Sequence, residues 1–396
     1  MKVEDIAKLD EKYYCPVFGK RLPISFVKGE DVYLIDSEGK RYTDFYSGIA
    51  VNCLGYSDEG LKKALCDTVN SLMHTANYYY IETQAKLAQK LCEATGYDNV
   101  FLGNSGAEAI EGALKLARKY HYGTGQPRAE VITMQGSFHG RTFATLAATG
   151  QSKFHEAFEP LMETFTYVPP NDIAALEAAV SDNTAAVLIE PIMGEGGIIA
   201  MTSEYFQAVR KVCDKYGALM IADEIQTGMG RTGALLASPA LGAMPDIVVL
   251  AKSLGAGVPI GAFLARGKAA KAFAPGDHGS TFGGNYLACT AAYYVTNKLL
   301  DTDILDHVKE MGAYFKEKLT TLKEECPVIL EVRGNGLMLG LDLDASVSAA
   351  ETKKKLLDHG FATATAGTNV LRFLPPYVIQ KSHIDSLTDT LKNLLA

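Results

Sequence analysis

Short apolar runs alternate with amphipathic stretches through the middle of the chain. Apolar runs lie at 131–134, 185–189 and 218–222, and each is short enough to be one buried strand. The stretches between them, at 171–180 and 203–217, carry apolar residues at helical spacing. This alternation predicts a largely parallel sheet with helices on both of its faces.

Helical spacing also precedes this region, at 61–72 and 83–91. A short strand at 100–102 then breaks at the GNSGA turn and passes directly into a long helix. A strand that turns through small residues into a helix predicts an anion site, because the first N–H groups of the helix point outward. A capped helix without any ligand is the alternative, since Ser105 would cap the helix in either case.

Both ends of the chain have a different pattern. Near the N-terminus, DVYLID and RYTDF alternate in polarity on either side of an SEGK turn, which predicts a hairpin. Toward the C-terminus, helical patterns at 286–299 and 303–325 precede two alternating strand patterns, a short helix and a last amphipathic helix. Helices combined with an antiparallel type of sheet indicate a smaller α+β unit.

A chain of 396 residues is long enough for about two domains. We expect an α/β fold in which residues 56–290 form a large domain with a mostly parallel sheet. Residues 1–55 and 291–396 are expected to form the smaller α+β domain together.

Composition excludes several classes of protein. A net charge of −8 and the lack of a clustered Lys/Arg face argue against a nucleic-acid partner. No uncharged apolar run reaches the roughly 18 residues that a membrane span needs, and the N-terminal segment lacks the apolar core of a signal peptide. The seven cysteines are scattered without a CxxC pair, which is typical of reduced thiols. We expect a cytoplasmic protein that binds small molecules, with neither a nucleic-acid nor a membrane partner.

Two apolar runs end in side chains that can take part in catalysis. The run at 218–222 ends in Asp223, and a later run at 247–251 ends in Lys252. Open α/β folds place their chemistry outside the carboxyl ends of parallel strands, so the carboxylate and the amine are expected at one edge of the sheet. An acid and an amine so placed suggest a cofactor with a basic ring nitrogen and an aldehyde.

Other chemistries are poorly supported by the motifs. The segment GMGRTG at 228–233 matches the GxGxxG pattern of dinucleotide binding, but five residues separate it from its strand and Pro239 interrupts the helix that should follow. The histidines are dispersed without HExxH spacing, so no metal site is expected, and His139 has no nearby pattern of carboxylate ligands. Neither a GxSxG nor a GxxxxGK[ST] motif occurs.

Pyridoxal 5'-phosphate would use all the remaining features at once. The helix N-terminus would bind its phosphate, Lys252 would bind its aldehyde, and Asp223 would keep its ring nitrogen protonated. Taken singly, each feature has an ordinary interpretation: Asp223 could cap a neighbouring helix, and Lys252 could be a solvated strand end.

Successive blocks of the chain resemble the class III aminotransferases, which have the fold type I architecture of aspartate aminotransferase. The resemblance covers nearly the whole chain, and within the family it is closest to the acetylornithine aminotransferase branch, with ornithine and 4-aminobutyrate aminotransferases as near relatives. The blocks that carry it are NSGAEAIEGALKLARKY, SFHGRT, IEPIMGEGG, IADEIQTGMGRTG, LAKSLGAGVPIGA, GSTFGGN and LRFLPP, together with GIAVNCLG and ANYYYIETQAKLAQKL.

The resemblance implies a set of cofactor contacts. Lys252 would be the Schiff-base lysine and would shuttle the proton, and Asp223 would pair with the ring nitrogen. Thr281 would reach the phosphate of the other subunit's cofactor, which implies a homodimer with two shared active sites. The remaining cofactor contacts implied by the family are Ser105, Gly106 and Ala107 at the phosphate, Phe138 on the ring face and Gln226 near the ring hydroxyl.

The resemblance also implies how substrates bind. 2-Oxoglutarate carries two carboxylates, and Arg372 and Arg141 fit as their two partners. Glu195 would pair with Arg372 when the donor presents an ω-amine and release it for the keto acid. Ser280 belongs to the same substrate-binding set. Glu190 would support this arrangement, with a purely structural role at its strand end as the alternative.

Together these features predict a transaminase that moves the δ-amino group of N2-acetylornithine to 2-oxoglutarate, with an ornithine, succinylornithine or 4-aminobutyrate transaminase as the alternative. A binding or regulatory protein that has kept the fold is the alternative from another class. Two departures from the family pattern adjoin the site: Met193 stands where Gln is common, and Tyr286 where Pro often follows Asn285.

Overall fold

Residues 1–395 are described by a computed structural model, and they form twelve α-helices and seventeen strands. None of these helices is both long enough and apolar enough to cross a membrane. The helices are α1 (Val3–Tyr13), α2 (Ser47–Ala50), α3 (Glu59–Ser71), α4 (Glu82–Thr95), α5 (Gly106–Gly123), α6 (Phe143–Ala148), α7 (Ile173–Ala179), α8 (Ser203–Tyr216), α9 (Tyr286–Asp301), α10 (Ile304–Glu325), α11 (Ala349–Asp358) and α12 (Lys381–Leu395).

The strands belong to one large sheet, two sheets of four strands and one two-stranded ribbon. They are β1 (Phe26–Glu30), β2 (Tyr33–Asp36), β3 (Arg41–Asp44), β4 (Asn99–Gly103), β5 (Glu130–Met134), β6 (Phe165–Val168), β7 (Thr184–Ile189), β8 (Ile192–Met193), β9 (Ile199–Ala200), β10 (Leu219–Asp223), β11 (Ile247–Leu250), β12 (Gly261–Ala265), β13 (Ile329–Asn335), β14 (Met338–Leu343), β15 (Phe361–Ala362), β16 (Ala364–Ala366) and β17 (Val370–Phe373).

The large sheet has seven strands in the order β4-β12-β11-β10-β7-β5-β6. Pairings among β11, β10, β7, β5 and β6 are parallel, which confirms the predicted mostly parallel sheet. β12 runs antiparallel to both β11 and β4 and was not predicted. Its small and apolar residues carry no signal of direction, because a strand buried on both faces has the same composition whichever way it runs.

Both faces of this sheet are covered by helices. Along β10, Met220 belongs to one apolar core and Ile221 to the other, and Val248 and Val249 divide in the same way along β11. Successive side chains of a strand point to opposite faces, so this alternation places one core on each side. The helix α5 packs over β11 and β12 on one side, while α8 packs against β7 and β10.

The two ends of the chain meet in a smaller sheet. β2 and β3 form the predicted hairpin, and β1 adds a further antiparallel strand beside β2 that was not predicted. β3 then pairs in parallel with β15, which lies more than three hundred residues later in the chain. Phe45, just after β3, packs its ring 5.7 Å from that of Phe315 and 6.4 Å from that of Phe373. These contacts bring the two ends of the chain together, and the division into a small domain of 1–55 and 291–396 and a large domain of 56–290 stays a prediction.

Local signals account for several helix ends. The Ser105 hydroxyl accepts a hydrogen bond from the Glu108 N–H at 3.2 Å and caps α5. Asp172 caps α7 in the same way, and Gly217 ends α8 in a left-handed conformation with φ of 67°. The N-terminal helix α1 was not predicted, and none of its residues is buried against the rest of the described chain.

Candidate active site

A cavity of ≈ 470 Å³ opens where β10 and β11 end. Ten of the residues singled out in the sequence line it, although they come from five separate stretches of the chain. These residues are Ser105, Gly106, Ala107, Phe138, Arg141, Glu190, Glu195, Asp223, Gln226 and Lys252. The carboxylate and the amine predicted at the edge of the sheet therefore do lie together.

Lys252 stands just beyond the end of β11 with a backbone φ of +48°. This left-handed conformation is uncommon for a residue with a side chain and costs roughly 1–2 kcal/mol. Burial lowers the pKa of the Lys252 amine to about 8, although the opposite charge of Glu195 works against this effect. A larger fraction of this amine than of an exposed lysine is therefore neutral, and hence nucleophilic, near neutral pH, although most of it is still protonated there.

Asp223 ends β10 with its carboxylate buried. Its Oδ1 accepts the N–H of Ile225 at 3.0 Å, and its Oδ2 lies 2.8 Å from Nδ1 of His139. The other ring nitrogen of His139 lies 3.1 Å from the Thr133 hydroxyl. A buried series of hydrogen bonds, from Thr133 through His139 to Asp223, thus orients the carboxylate at the cavity wall.

His139 is the residue of the site that the sequence did not reveal. It is 2% exposed and belongs to the SFHGRT block, directly after Phe138. Its sequence context pointed to no role beyond that of a possible metal ligand. Within residues 1–395 no group of three His, Cys, Asp or Glu side chains is placed to hold a metal ion.

The turn between β4 and α5 forms a narrow cradle at the other end of the cavity. A Cβ atom added at Gly106 would lie 2.7 Å from Cδ1 of Ile225, and one added at Gly261 would lie 2.0 Å from the Ser105 carbonyl oxygen. The N–H groups of Gly106 and Ala107 are the first of the helix and have no intrahelical acceptor. The cradle is therefore closed to larger side chains and open to an anion.

The Glu190 carboxylate bridges two backbone segments beside the cavity. Its Oε1 accepts the N–H of Phe138 at 2.9 Å, and its Oε2 accepts the N–H of Gly194 at 3.2 Å. Burial raises the pKa of the Glu190 carboxyl to about 7, against the nearby imidazole of His139. The carboxyl sets the position of the Phe138 backbone beside the cavity.

Arg372 on β17, in the C-terminal part of the chain, does not itself line this cavity but pairs with Glu195, which does. It is 3% exposed, and its Nη1 donates to Oε1 of Glu195 at 2.5 Å and to the Gly194 carbonyl at 3.3 Å. Burial alone would raise the pKa of the Glu195 carboxyl, but the guanidinium holds it below its usual value. Within residues 1–395, the Nε of Arg372 is buried without a hydrogen-bond acceptor.

Arg141 lies at the cavity wall with its side chain exposed. Its guanidinium carbon is 3.9 Å from the centre of the Phe154 ring and 5.4 Å from that of Phe138. The two arginines therefore differ: Arg372 is buried and paired with a carboxylate, whereas Arg141 rests on aromatic rings.

Ser280 and Thr281 are not brought to the Lys252 cavity within one chain. Both line a second cavity of ≈ 900 Å³, together with Tyr78 and His278. The Ser280 hydroxyl accepts the side-chain N–H of Asn104 at 3.0 Å, and this asparagine belongs to the first cavity. Their predicted roles in substrate binding and at the partner's cofactor stay predictions.

The two departures from the family pattern occupy ordinary positions. Met193 is fully buried in β8, next to the turn that carries Glu195. Tyr286 is the first residue of α9, whose N-terminus is capped by the Asn285 side chain through the Ala288 N–H at 2.9 Å.

The family model Aminotransferase class-III matches residues 14–395. The chain belongs to this family. Pyridoxal 5'-phosphate is the cofactor of class III aminotransferases, so the chain is a pyridoxal-phosphate-dependent transaminase. The expected fold type I architecture is confirmed as well.

Relatives of this aminotransferase resemble it over nearly their whole length. It is 46% identical to the acetylornithine aminotransferase of Methanocaldococcus jannaschii, covering 99% of this chain and 98% of that one. Identity to the acetylornithine aminotransferase of Caldanaerobacter subterraneus is 47%, covering 98% of each chain. A solved structure of ornithine aminotransferase from Toxoplasma gondii matches with a TM-score of 0.94 at 33% identity, covering 99% of this chain and 94% of that one. N-acetylornithine aminotransferase from Stenotrophomonas maltophilia matches with a TM-score of 0.83 at 36% identity, covering 96% of each chain.

The cavity of this aminotransferase fits the chemistry of its cofactor. The Gly106 turn offers an anion cradle that a Cβ would fill, and Asp223 offers a buried carboxylate for a protonated ring nitrogen. Lys252 supplies an amine whose lowered pKa favours attack on an aldehyde. Each of these groups lines the same cavity.

Proposed function

We propose that this transaminase moves the δ-amino group of N2-acetylornithine to 2-oxoglutarate and yields N-acetylglutamate 5-semialdehyde and glutamate, a reaction of arginine biosynthesis. Full-length relatives at 42–47% identity carry the name acetylornithine aminotransferase. The structural observation that carries the proposal is the Arg372–Glu195 pair, because it lets one site accept two kinds of substrate.

The cofactor would be held at three places. The N–H groups at Ser105, Gly106 and Ala107 would bind its phosphate, and Phe138 and Gln226 would contact its ring. Asp223, oriented by His139, would keep the ring nitrogen protonated. When bound, the cofactor supplies an electron sink for the bond that breaks at the substrate carbon.

Lys252 would move the proton of the reaction. Its amine would take a proton from the substrate carbon that bears the amino group and would deliver it to the carbon of the cofactor's aldehyde group, which requires a pKa near the working pH. Burial supplies that pKa at about 8, and the strained backbone at the strand end holds the amine in the cavity.

Glu195 and Arg372 would select the reacting end of each substrate. With Glu195 in place, the positive charge of Arg372 is neutralised, and the amine-bearing end of an ω-amine donor enters without needing a carboxylate. When Glu195 moves away, Arg372 is free to bind the α-carboxylate of 2-oxoglutarate in a two-pronged contact. Arg141 would bind the distal carboxylate of either substrate.

The active enzyme would be a homodimer with shared sites. Thr281 would reach the phosphate of the cofactor bound by the partner subunit, and Ser280 would lie beside the substrate. The separate cavity that Ser280 and Thr281 line is consistent with a site completed by a second copy. The cytoplasmic location expected from the sequence stays a prediction.

A donor comparison tests the proposed reaction. Values of kcat/KM for N-acetylornithine, ornithine, succinylornithine and 4-aminobutyrate would be measured with the same holoenzyme and 2-oxoglutarate. We expect N-acetylornithine to have the highest value. The likeness to ornithine aminotransferase at a TM-score of 0.94 makes ornithine the second candidate, and a clear preference for ornithine or 4-aminobutyrate would overturn the proposal.

A further inference from the structure

The guanidinium of Arg141 lies against two aromatic rings that meet edge to face. Its central carbon is 3.9 Å from the centre of the Phe154 ring, closer than the 5.4 Å that separate it from the Phe138 ring. The two rings are 6.1 Å apart and inclined by 78°. Together they form an aromatic corner, Phe138 and Phe154, that holds the guanidinium by cation–π contacts.

This aromatic corner is the main restraint on the Arg141 head group. Among residues 1–395, no side chain or carbonyl accepts a hydrogen bond from Arg141, and no carboxylate lies within 4.0 Å of it. A cation–π contact does not require a hydrogen bond from the guanidinium, so its N–H donors are left without a protein acceptor. A carboxylate in the cavity can therefore reach the donors without first displacing a protein partner.

Phe154 is itself held firmly, although it does not line the cavity. Its N–H donates to the Gln151 carbonyl at 3.0 Å, and the Gln151 side chain donates to the Ser137 carbonyl at 3.0 Å. A ring nitrogen of His155 lies 2.9 Å from the Leu146 carbonyl. The short segment that carries Phe154 is thus attached to the same turn that carries Phe138.

We propose that Phe154 is a positioning residue that sets the affinity of the site for five-carbon dicarboxylates by holding Arg141 in place. An unrestrained arginine loses rotamer entropy when it is immobilised by a ligand. The aromatic corner restricts this freedom before the ligand arrives. Less of the favourable free energy of the carboxylate contact is then offset by lost entropy, and the affinity is higher. This inference rests on the proposed role of Arg141 as the partner of the distal carboxylate.

The test uses glutarate, a dicarboxylate with no reactive group, titrated calorimetrically into the holoenzyme. Phe154→Leu keeps an apolar side chain but removes the ring, and we expect it to weaken glutarate binding about three- to twentyfold, the range of a cation–π contact. Phe154→Tyr keeps the ring and is expected to bind within about twofold of the unchanged enzyme. Phe158→Leu is the matched control, because this exposed phenylalanine belongs to the same segment but does not contact Arg141.

A double-mutant cycle separates positioning from a general effect on the fold. In an Arg141→Ala background, Phe154→Leu is expected to cause no further loss of glutarate affinity. An equal loss in both backgrounds would overturn the proposal, as would unchanged binding by Phe154→Leu or a lack of glutarate binding to the unchanged enzyme. In the reaction with glutamate, Phe154→Leu is expected to raise KM and leave kcat within about twofold.

These measurements do not depend on the amine donor. If N-acetylornithine is not the preferred donor but Phe154→Leu still weakens glutarate binding through Arg141, the proposed function fails and the positioning role stands. If N-acetylornithine is preferred and the cycle shows no coupling, the positioning role fails alone.

Discussion

Nδ1 of His139 lies 2.8 Å from Oδ2 of Asp223, and both side chains are buried beneath the cavity that contains Lys252. The Thr133 hydroxyl holds the opposite side of the imidazole at 3.1 Å. The imidazole therefore fixes the direction of the carboxylate in an environment where a free charge would be costly.

Asp223→Asn is expected to lower kcat about a hundredfold or more, because a fixed charge aimed at the cofactor ring is removed while the shape is kept. His139→Gln retains one hydrogen-bond donor and is expected to lower kcat about tenfold. Steady-state rates and cofactor absorbance would be compared for both variants. A lower kcat for His139→Gln than for Asp223→Asn would contradict the orienting role given to the imidazole.

The lowered pKa of Lys252 predicts a pH-dependent reaction of the apoenzyme with pyridoxal 5'-phosphate. Below pH about 8 the amine is mostly protonated and unreactive, and above it the amine is mostly neutral. The rate of cofactor attachment should therefore rise as the pH passes through about 8, well before the 10.4 typical of a free lysine. Stopped-flow absorbance measures this rate.

Lys252→Ala provides the control for that experiment. It should show no absorbance change at any pH in this range and no turnover, while its fold is preserved in circular dichroism. A midpoint near 10 in the unchanged protein, or turnover by the variant, would refute the role of this amine.

The Arg372–Glu195 pair predicts a switch in donor preference. Glu195→Gln removes the negative charge but keeps the size, so Arg372 is left free to bind an α-carboxylate. We expect the ratio of kcat/KM for glutamate to that for N-acetylornithine to rise by about tenfold, equivalent to 1.4 kcal/mol. Both half-reactions would be followed by cofactor absorbance. An unchanged ratio would show that Glu195 does not control Arg372.

Arg231 gives the GMGRTG segment a structural role. Its side chain is fully buried, donates to the Leu337 carbonyl at 3.1 Å and to the Pro375 carbonyl, and stacks on the Tyr377 ring at 4.6 Å. The segment thus joins the large sheet to the turn after β13 and to the chain after β17. Arg231→Ala is expected to destabilise the protein by about 3–5 kcal/mol, because it leaves a large cavity and unpaired carbonyls.

Thermal unfolding of the holoenzyme tests this expectation. Arg141→Ala is the matched control, since it removes an exposed arginine and should leave Tm nearly unchanged while lowering activity. Equal Tm values for the two variants would contradict the structural role of Arg231.

Most helices and strands could be predicted because their signals are local. The strand, turn and cap at Ser105 follow one another within a few residues, and so do Asp172 and Gly217 at the ends of their helices. α1 was missed because its apolar residues remain exposed on the described chain, so its short pattern has no matching core. The strand β12 was missed because a run of small apolar residues does not specify a neighbour or a direction.

The candidate site was predicted in part from the residues and in part from resemblance. Asp223, Lys252 and the Ser105 turn stand at strand or helix ends, where local patterns expose them. Arg372 and Glu195 lie 177 positions apart and were paired only through the family resemblance. His139 lies 84 positions from Asp223, and no local pattern connects the two.

The sequence by itself determined the class of chemistry, because strand ends, a helix N-terminus and their side chains are specified by neighbouring residues. Only the tertiary structure decided two further pairings of distant groups: His139 behind Asp223, and Phe154 against Arg141. These contacts depend on how strands are ordered and helices packed, and that arrangement is set by burial of the whole core rather than by any single stretch of chain.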